Sequence, residues 1–136
     1  MSESTIANKQ LSTLLGVLSH PSRIRIVREL QQGERDVNTL QRCVKISHSG
    51  VSQHLSVMRA NRLVAERREG RRVLYRLVEP KLADWLLEGL HFLEAAEVRN
   101  DAIRNALRLA TADWTSAEIA DRNHATSTQR RHRGQQ

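Results

Sequence analysis

The chain has 136 residues, 39% apolar but only 3% aromatic, which suits one domain with a modest core of Leu, Val and Ile. No apolar run nears the ~18 residues of a membrane helix, the first ten residues lack the layout of a secretory leader, and a single cysteine, Cys43, excludes an internal disulfide, so a soluble cytoplasmic protein is expected. The net charge is +7, and residues 18–79 alone carry 13 Lys/Arg against 6 Asp/Glu, the footprint of a polyanion-binding surface.

In chain order, residues 5–18 form a first predicted helix. Leu11, Leu14, Leu15 and Leu18 follow the i, i+3, i+4, i+7 spacing. Ser19-His20-Pro21 breaks it, and Pro21 suits the first position of a second helix with His20 or Ser19 as cap. That helix carries Ile24, Val27 and Leu30 on one side and stops near Gly33. A third begins about Asp36, a good N-cap, with Val37, Leu40 and Val44 as its stripe. It ends by Lys45-Ile46, and Ser47 caps a fourth. Two short helices joined by so few residues match a helix-turn-helix unit.

The fourth helix, from Ser47 to about Leu63, has two unlike sides. Val51, Leu55 and Met58 share one face, while Ser49, Ser52, Gln53 and Ser56 lie opposite. Hydroxyls and an amide, flanked by His48 and Arg59, suit base edges and phosphates. Taken alone, the pattern equally fits an ordinary amphipathic helix with a Ser-rich exterior.

After Leu63 the period changes from 3.6 to 2. Residues 64–68 and 72–77 read as strands around a Glu69-Gly70-Arg71 turn, with Val73, Tyr75 and Leu77 alternating against Arg72, Leu74 and Arg76. A hairpin bearing Arg67, Arg68, Arg71 and Arg72 next to a helix-turn-helix reads as a wing that reaches phosphates or the minor groove. The bland alternative is a solvated hairpin. Pro80 opens a fifth helix with a broad apolar side of Leu82, Trp85, Leu86, Leu90 and Leu93. Helical spacing resumes through Ile103, Leu107 and Ala110, as a sixth helix or a continuation of the fifth. Terminal helices this apolar on so small a core suggest a symmetric dimer through Leu11, Leu14 and Leu15 together with the fifth-helix residues. The expected organisation is a domain over residues 1–114 and a disordered basic tail over 115–136.

The sequence as a whole is expected to fold as a mainly α winged helix-turn-helix with a two-stranded hairpin. Residues 11–95 resemble the ArsR/SmtB family of bacterial winged-helix repressors. The matching stretches are LSHPSRIRIV (18–27), VSQHLSVMRANRLV (51–64) and RREGRRVLYRL (67–77). The resemblance implies a homodimer that binds operator DNA and releases it when an inducer binds. It also directs attention to two metal sites. The third-helix Cys-Val-Cys motif is replaced by Asp36-Val37-Asn38, which removes both thiolates that soft metals need. At the C-terminal helix site stand Glu79, Lys81, Phe92 and Ala95, with His91 one residue out of place. No metal and no cofactor is therefore expected.

The remaining candidate switch is Cys43, close in sequence to Arg42, Lys45 and His48. Cations lower a thiol's pKa and favour the reactive thiolate, so Cys43 is a candidate redox switch; a lone cysteine is also commonly a small core residue. In the implied mechanism two recognition helices enter successive major grooves, about 34–36 Å apart. Ser49, Ser52 and Gln53 would meet bases, His48, Ser56 and Arg59 phosphates, and the four wing arginines the flanking backbone. The competing class is a winged-helix module that binds protein or RNA without an inducer switch. An enzyme is not expected: there is no Gly-rich phosphate loop, no paired-carboxylate signature and no nucleophile with an evident base.

Overall fold

The structure, a computed structural model, describes residues 1–116. The expected tail lies outside the described residues except for its first two, which close a helix. The chain divides after Pro80 into two compact units.

The first unit runs α1 (Glu3–Leu18), α2 (Pro21–Leu30), β1 (Arg35–Asp36), α3 (Val37–Val44), α4 (His48–Ala60), β2 (Val64–Glu69) and β3 (Arg72–Leu77). Local chemistry sets most of these boundaries. The Ser2 side chain caps α1 by accepting from Thr5 N–H, and Pro21 opens α2 where no intrahelical donor is needed. Lys45 ends α3 in a left-handed conformation (φ 61°), and that single reversal makes the turn of the helix-turn-helix. Ser47 Oγ then accepts from Gly50 N–H at 3.0 Å and starts α4.

The core is built of Ile26, Val27, Leu30, Leu40, Val51, Leu55, Met58, Val64, Leu74 and Leu77, all buried. Helix α4 packs on α2, α3 and β2. The expected α2 stripe is corrected in part: Val27 and Leu30 are buried, but Ile24 lies at the surface and Ile26 takes the interior place.

The sheet also departs from expectation. It has three antiparallel strands in the order β1-β3-β2, with Arg35 opposite Tyr75 and Asp36 opposite Leu74. Strand β3 is therefore central rather than one edge of a hairpin. This explains why Leu74 is buried, although the simple alternation placed it outside with Arg72 and Arg76. Val73 and Tyr75 are only half-buried. At the hairpin tip Gly70 has φ +61° with open space where a Cβ would stand, so backbone conformation alone favours glycine there.

The second unit contains α5 (Lys81–Ala96) and α6 over residues 101–116. The sixth helix is separate because Glu97 Oε1 accepts from the backbone of Arg99 and Asn100, and Asn100 Oδ1 accepts from Ile103 N–H. On α5, Ala83 and Leu87 are buried, Leu82, Leu86 and Leu90 are half-buried, and Trp85, Phe92 and Leu93 are exposed. No helix among the described residues is long and apolar enough to cross a membrane.

Candidate nucleic-acid interface

Helix α4 is fixed by its apolar side and by polar ties on its flanks. Val51, Leu55 and Met58 are fully buried. On one flank Arg23 Nε donates to His54 Nδ1 at 3.0 Å, and Arg23 Nη1 donates to the Val17 carbonyl at 3.0 Å. This joint ties the end of α1 and the start of α2 to α4. The His20 ring lies 5.9 Å from that of His54. Burial, then the charges of Arg23 and His20, hold His54 below the ordinary histidine pKa, which suits its role as an acceptor. On the other flank Arg59 donates to Glu66 Oε1 of β2 at 2.6 Å.

The opposite side of α4 is left open. Ser49, Gln53 and Ser56 are exposed and Ser52 is half-buried. The side chains of Ser52, Gln53 and Ser56 make no hydrogen bond with any described residue, while Ser49 Oγ lies 3.2 Å from Ser47 Oγ. A shallow groove of about 550 Å³ runs along this face, lined by Arg23, Ser52, Gln53, His54, Ser56 and Val57. His48, at the start of the helix, is exposed.

The expected wing arginines divide into two groups. Arg67 and Arg72 are engaged within the protein. Arg67 Nε donates to both Glu34 oxygens at 2.7 and 2.9 Å, and its Nη2 to Glu34 Oε2 at 2.7 Å; Glu69 lies 3.0 Å away. This partner holds the Glu34 carboxyl below its usual range. Arg72 donates to Asp36 Oδ2 from Nη2 at 3.0 Å and Nε at 3.2 Å. Asp36 Oδ1 accepts from Thr39 N–H at 2.8 Å, so one carboxylate caps α3 and holds the wing. The Thr39 hydrogen bonds, aided by Arg72, bring Asp36 down to about 2. By contrast, Arg68 and Arg71 at the tip are exposed and their side chains make no hydrogen bond or ion pair with any described residue. Sequence spacing could not reveal this division, because Glu34 and Arg67 are 33 residues apart.

Cys43 also differs from expectation. It is half-buried, and burial together with the Glu29 carboxylate of α2 pushes its thiol up; Arg25 and Arg42 oppose this without prevailing. The cations adjacent in sequence thus do not produce a thiolate. Of the expected dimer residues on α1, Leu11 and Leu15 are half exposed and Leu14 is half-buried. No group of three or more His, Cys, Asp or Glu among the described residues is arranged to hold a metal ion.

A recognition helix on a helix-turn-helix scaffold, followed by a basic hairpin, defines a winged helix-turn-helix protein. Residues 20–66 match the family described as bacterial regulatory protein, arsR family. The chain is 36% identical over 91 residues to a biofilm growth-associated repressor of Agrobacterium fabrum, covering 67% of this chain and 77% of that one. Its fold superposes on the crystal structure of Mycobacterium tuberculosis Rv0081 with a TM-score of 0.61 and 32% identity, covering 70% of this chain and 94% of that one. A homodimeric winged helix-turn-helix DNA-binding domain from Mycobacterium bovis gives a TM-score of 0.60 at 26% identity, covering 74% and 97% respectively. The chain belongs to the ArsR family and is a DNA-binding transcriptional regulator.

Proposed function

We propose that the protein is a repressor that binds operator DNA as a homodimer, reading sequence through α4 and gripping the backbone through the wing tip. The observation that carries this reading is the open face of α4: Ser52, Gln53 and Ser56 keep their hydrogen-bonding capacity while both flanks of the helix are tied down. In this reading Ser49, Ser52 and Gln53 meet base edges, with Gln53 able to pair an adenine through two hydrogen bonds. His48 and Ser56 meet phosphates, and Arg68 and Arg71 supply the ready wing contacts. Arg59, Arg67 and Arg72 are first of all intramolecular partners.

Dimerisation is supported by the exposed apolar residues Leu11, Leu15, Trp85 and Leu93, on a chain whose Mycobacterium bovis neighbour is homodimeric.

A gel shift on the duplex upstream of the protein's own gene, with and without excess arbitrary DNA, tests the function. Gln53→Ala should cost ~1–3 kcal/mol on the preferred site and relax discrimination. Arg71→Ala should weaken binding to every sequence and flatten the salt dependence. Equal losses on preferred and arbitrary DNA for Gln53→Ala would remove the base-reading role.

A further inference from the structure

We propose that Glu34 and Asp36 set the wing's affinity for DNA without touching it: they occupy Arg67 and Arg72 and so restrain binding to the phosphate backbone. The inference rests on the DNA-binding reading above. A guanidinium fork fits a carboxylate and a phosphate by the same geometry, so each acidic residue competes directly with the DNA backbone.

The two arginines are otherwise placed to bind phosphates. Their side chains are 50% and 63% exposed, and they flank the unpaired tip that carries Arg68 and Arg71. The acidic residues, in contrast, are held in place. Asp36 is paired to β3 opposite Leu74 and has its second oxygen bound to Thr39 N–H. Glu34 directly precedes β1 and receives three contacts from the Arg67 fork. A fixed carboxylate is a stronger competitor than one on a free side chain, because less conformational entropy is lost in keeping the pair.

The consequence is that two of the hairpin's five arginines, Arg67 and Arg72, are withheld from phosphates. Nonspecific binding is almost wholly electrostatic and grows with each phosphate neutralised. Withholding two arginines lowers that background without changing the uncharged face of α4. Operator and arbitrary DNA are weakened together, so the pairs set overall affinity and its salt dependence, while sequence preference stays with α4.

The test compares the full chain with E34Q/D36N, R67Q/R72Q and the variant combining all four substitutions, on a short duplex of arbitrary sequence across a salt series. Asparagine still caps α3, and circular dichroism verifies that each variant is folded. E34Q/D36N, which frees Arg72 and leaves Arg67 only its contact with Glu69, should tighten binding in dilute salt and steepen the log–log salt slope by about one to two, at about 0.9 per phosphate contact. R67Q/R72Q should leave the wild-type slope nearly unchanged, and the fourfold variant should lose the gain. An unchanged slope for E34Q/D36N overturns the proposal, as does weaker binding, which would make the pairs a brace for the wing. A gain that persists in the fourfold variant overturns it too, because that variant lacks both arginines and has the wild-type net charge, so the gain would owe nothing to them. If the wild-type chain binds neither this duplex nor its own upstream region, the DNA-binding reading itself fails.

Discussion

Replacing Asp36 by alanine removes two interactions made by one carboxylate. The cap bond to Thr39 N–H is 2.8 Å long, and losing an Asp or Asn N-cap to alanine costs about 1 kcal/mol, with a range of ~0.5–2. The Arg72 pair adds roughly 0.2–1 kcal/mol, at the low end because the arginine is 63% exposed. The expected loss at neutral pH is therefore about 1–1.5 kcal/mol. The acid limb bounds that figure from above. Asp36 falls from 3.8 to about 2 in the folded protein, which at about 1.4 kcal/mol per pH unit sets an upper value of roughly 2–3 kcal/mol. The sign is that of a depressed carboxylate: its contribution is present above the unfolded value of 3.8 and is lost as pH falls through about 2. Urea denaturation of wild type, Asp36→Ala and Asp36→Asn at neutral and acidic pH measures both. Asp36→Asn keeps the cap and should cost less than half as much as alanine at neutral pH, while removing the carboxylate's share of the acid limb. Equal destabilisation by asparagine and alanine would refute the division into a cap and a charge pair.

Three further outcomes follow from the geometry. His54 accepts from Arg23 only when neutral, and its folded pKa lies below the unfolded value of 6.5, so its contribution is present above 6.5 and lost as pH falls through the folded value. Thermal melts between about pH 5 and 8 should show this decline in wild type and lack it in His54→Ala; identical pH profiles would discount the joint. The raised Cys43 thiol should react with iodoacetamide more slowly than free cysteine at neutral pH and accelerate as pH rises, whereas a faster reaction would restore the redox-switch expectation. Leu15→Glu places a charge on an exposed apolar position of α1 and should shift sedimentation from dimer to monomer, and an unshifted dimer would move the interface elsewhere.

Most of the fold was legible because its boundaries are set by local chemistry. Ser47 before a polar-apolar helix, Pro21 after a break and Gly70 between two alternating runs each act within a few residues. What escaped was long-range. Strand β1 is two residues long, too short for any period, and forms because β3 offers an open edge to Arg35 and Asp36. That pairing makes β3 central, which buries Leu74. The direction of the Cys43 shift lay out of reach for the same reason: Arg42 and Lys45 are neighbours in sequence, but folding brings Glu29 of α2 to the thiol. The site residues on α4 were legible from helical spacing, whereas the pairing of Arg59, Arg67 and Arg72 was not, since each acidic partner arrives from another element or a distant turn.

The placement of charge separates two tasks that a single basic helix would merge. A recognition helix lined with arginine would bind any duplex strongly, because phosphate neutralisation is indifferent to sequence. Here the outward face of α4 carries Ser49, Ser52, Gln53 and Ser56, all uncharged, and the ties that orient it use His54 and Arg59 on the flanks. The short serine side chains, on a helix whose other side is fully buried, lose little entropy on meeting a base edge. Arg68 and Arg71, whose side chains have no ion-pair partner among the described residues, stand at the hairpin tip. Affinity is thus drawn mainly from the wing and discrimination from α4. Substitutions in the two places should therefore separate, with wing changes moving all sequences together and α4 changes moving them apart.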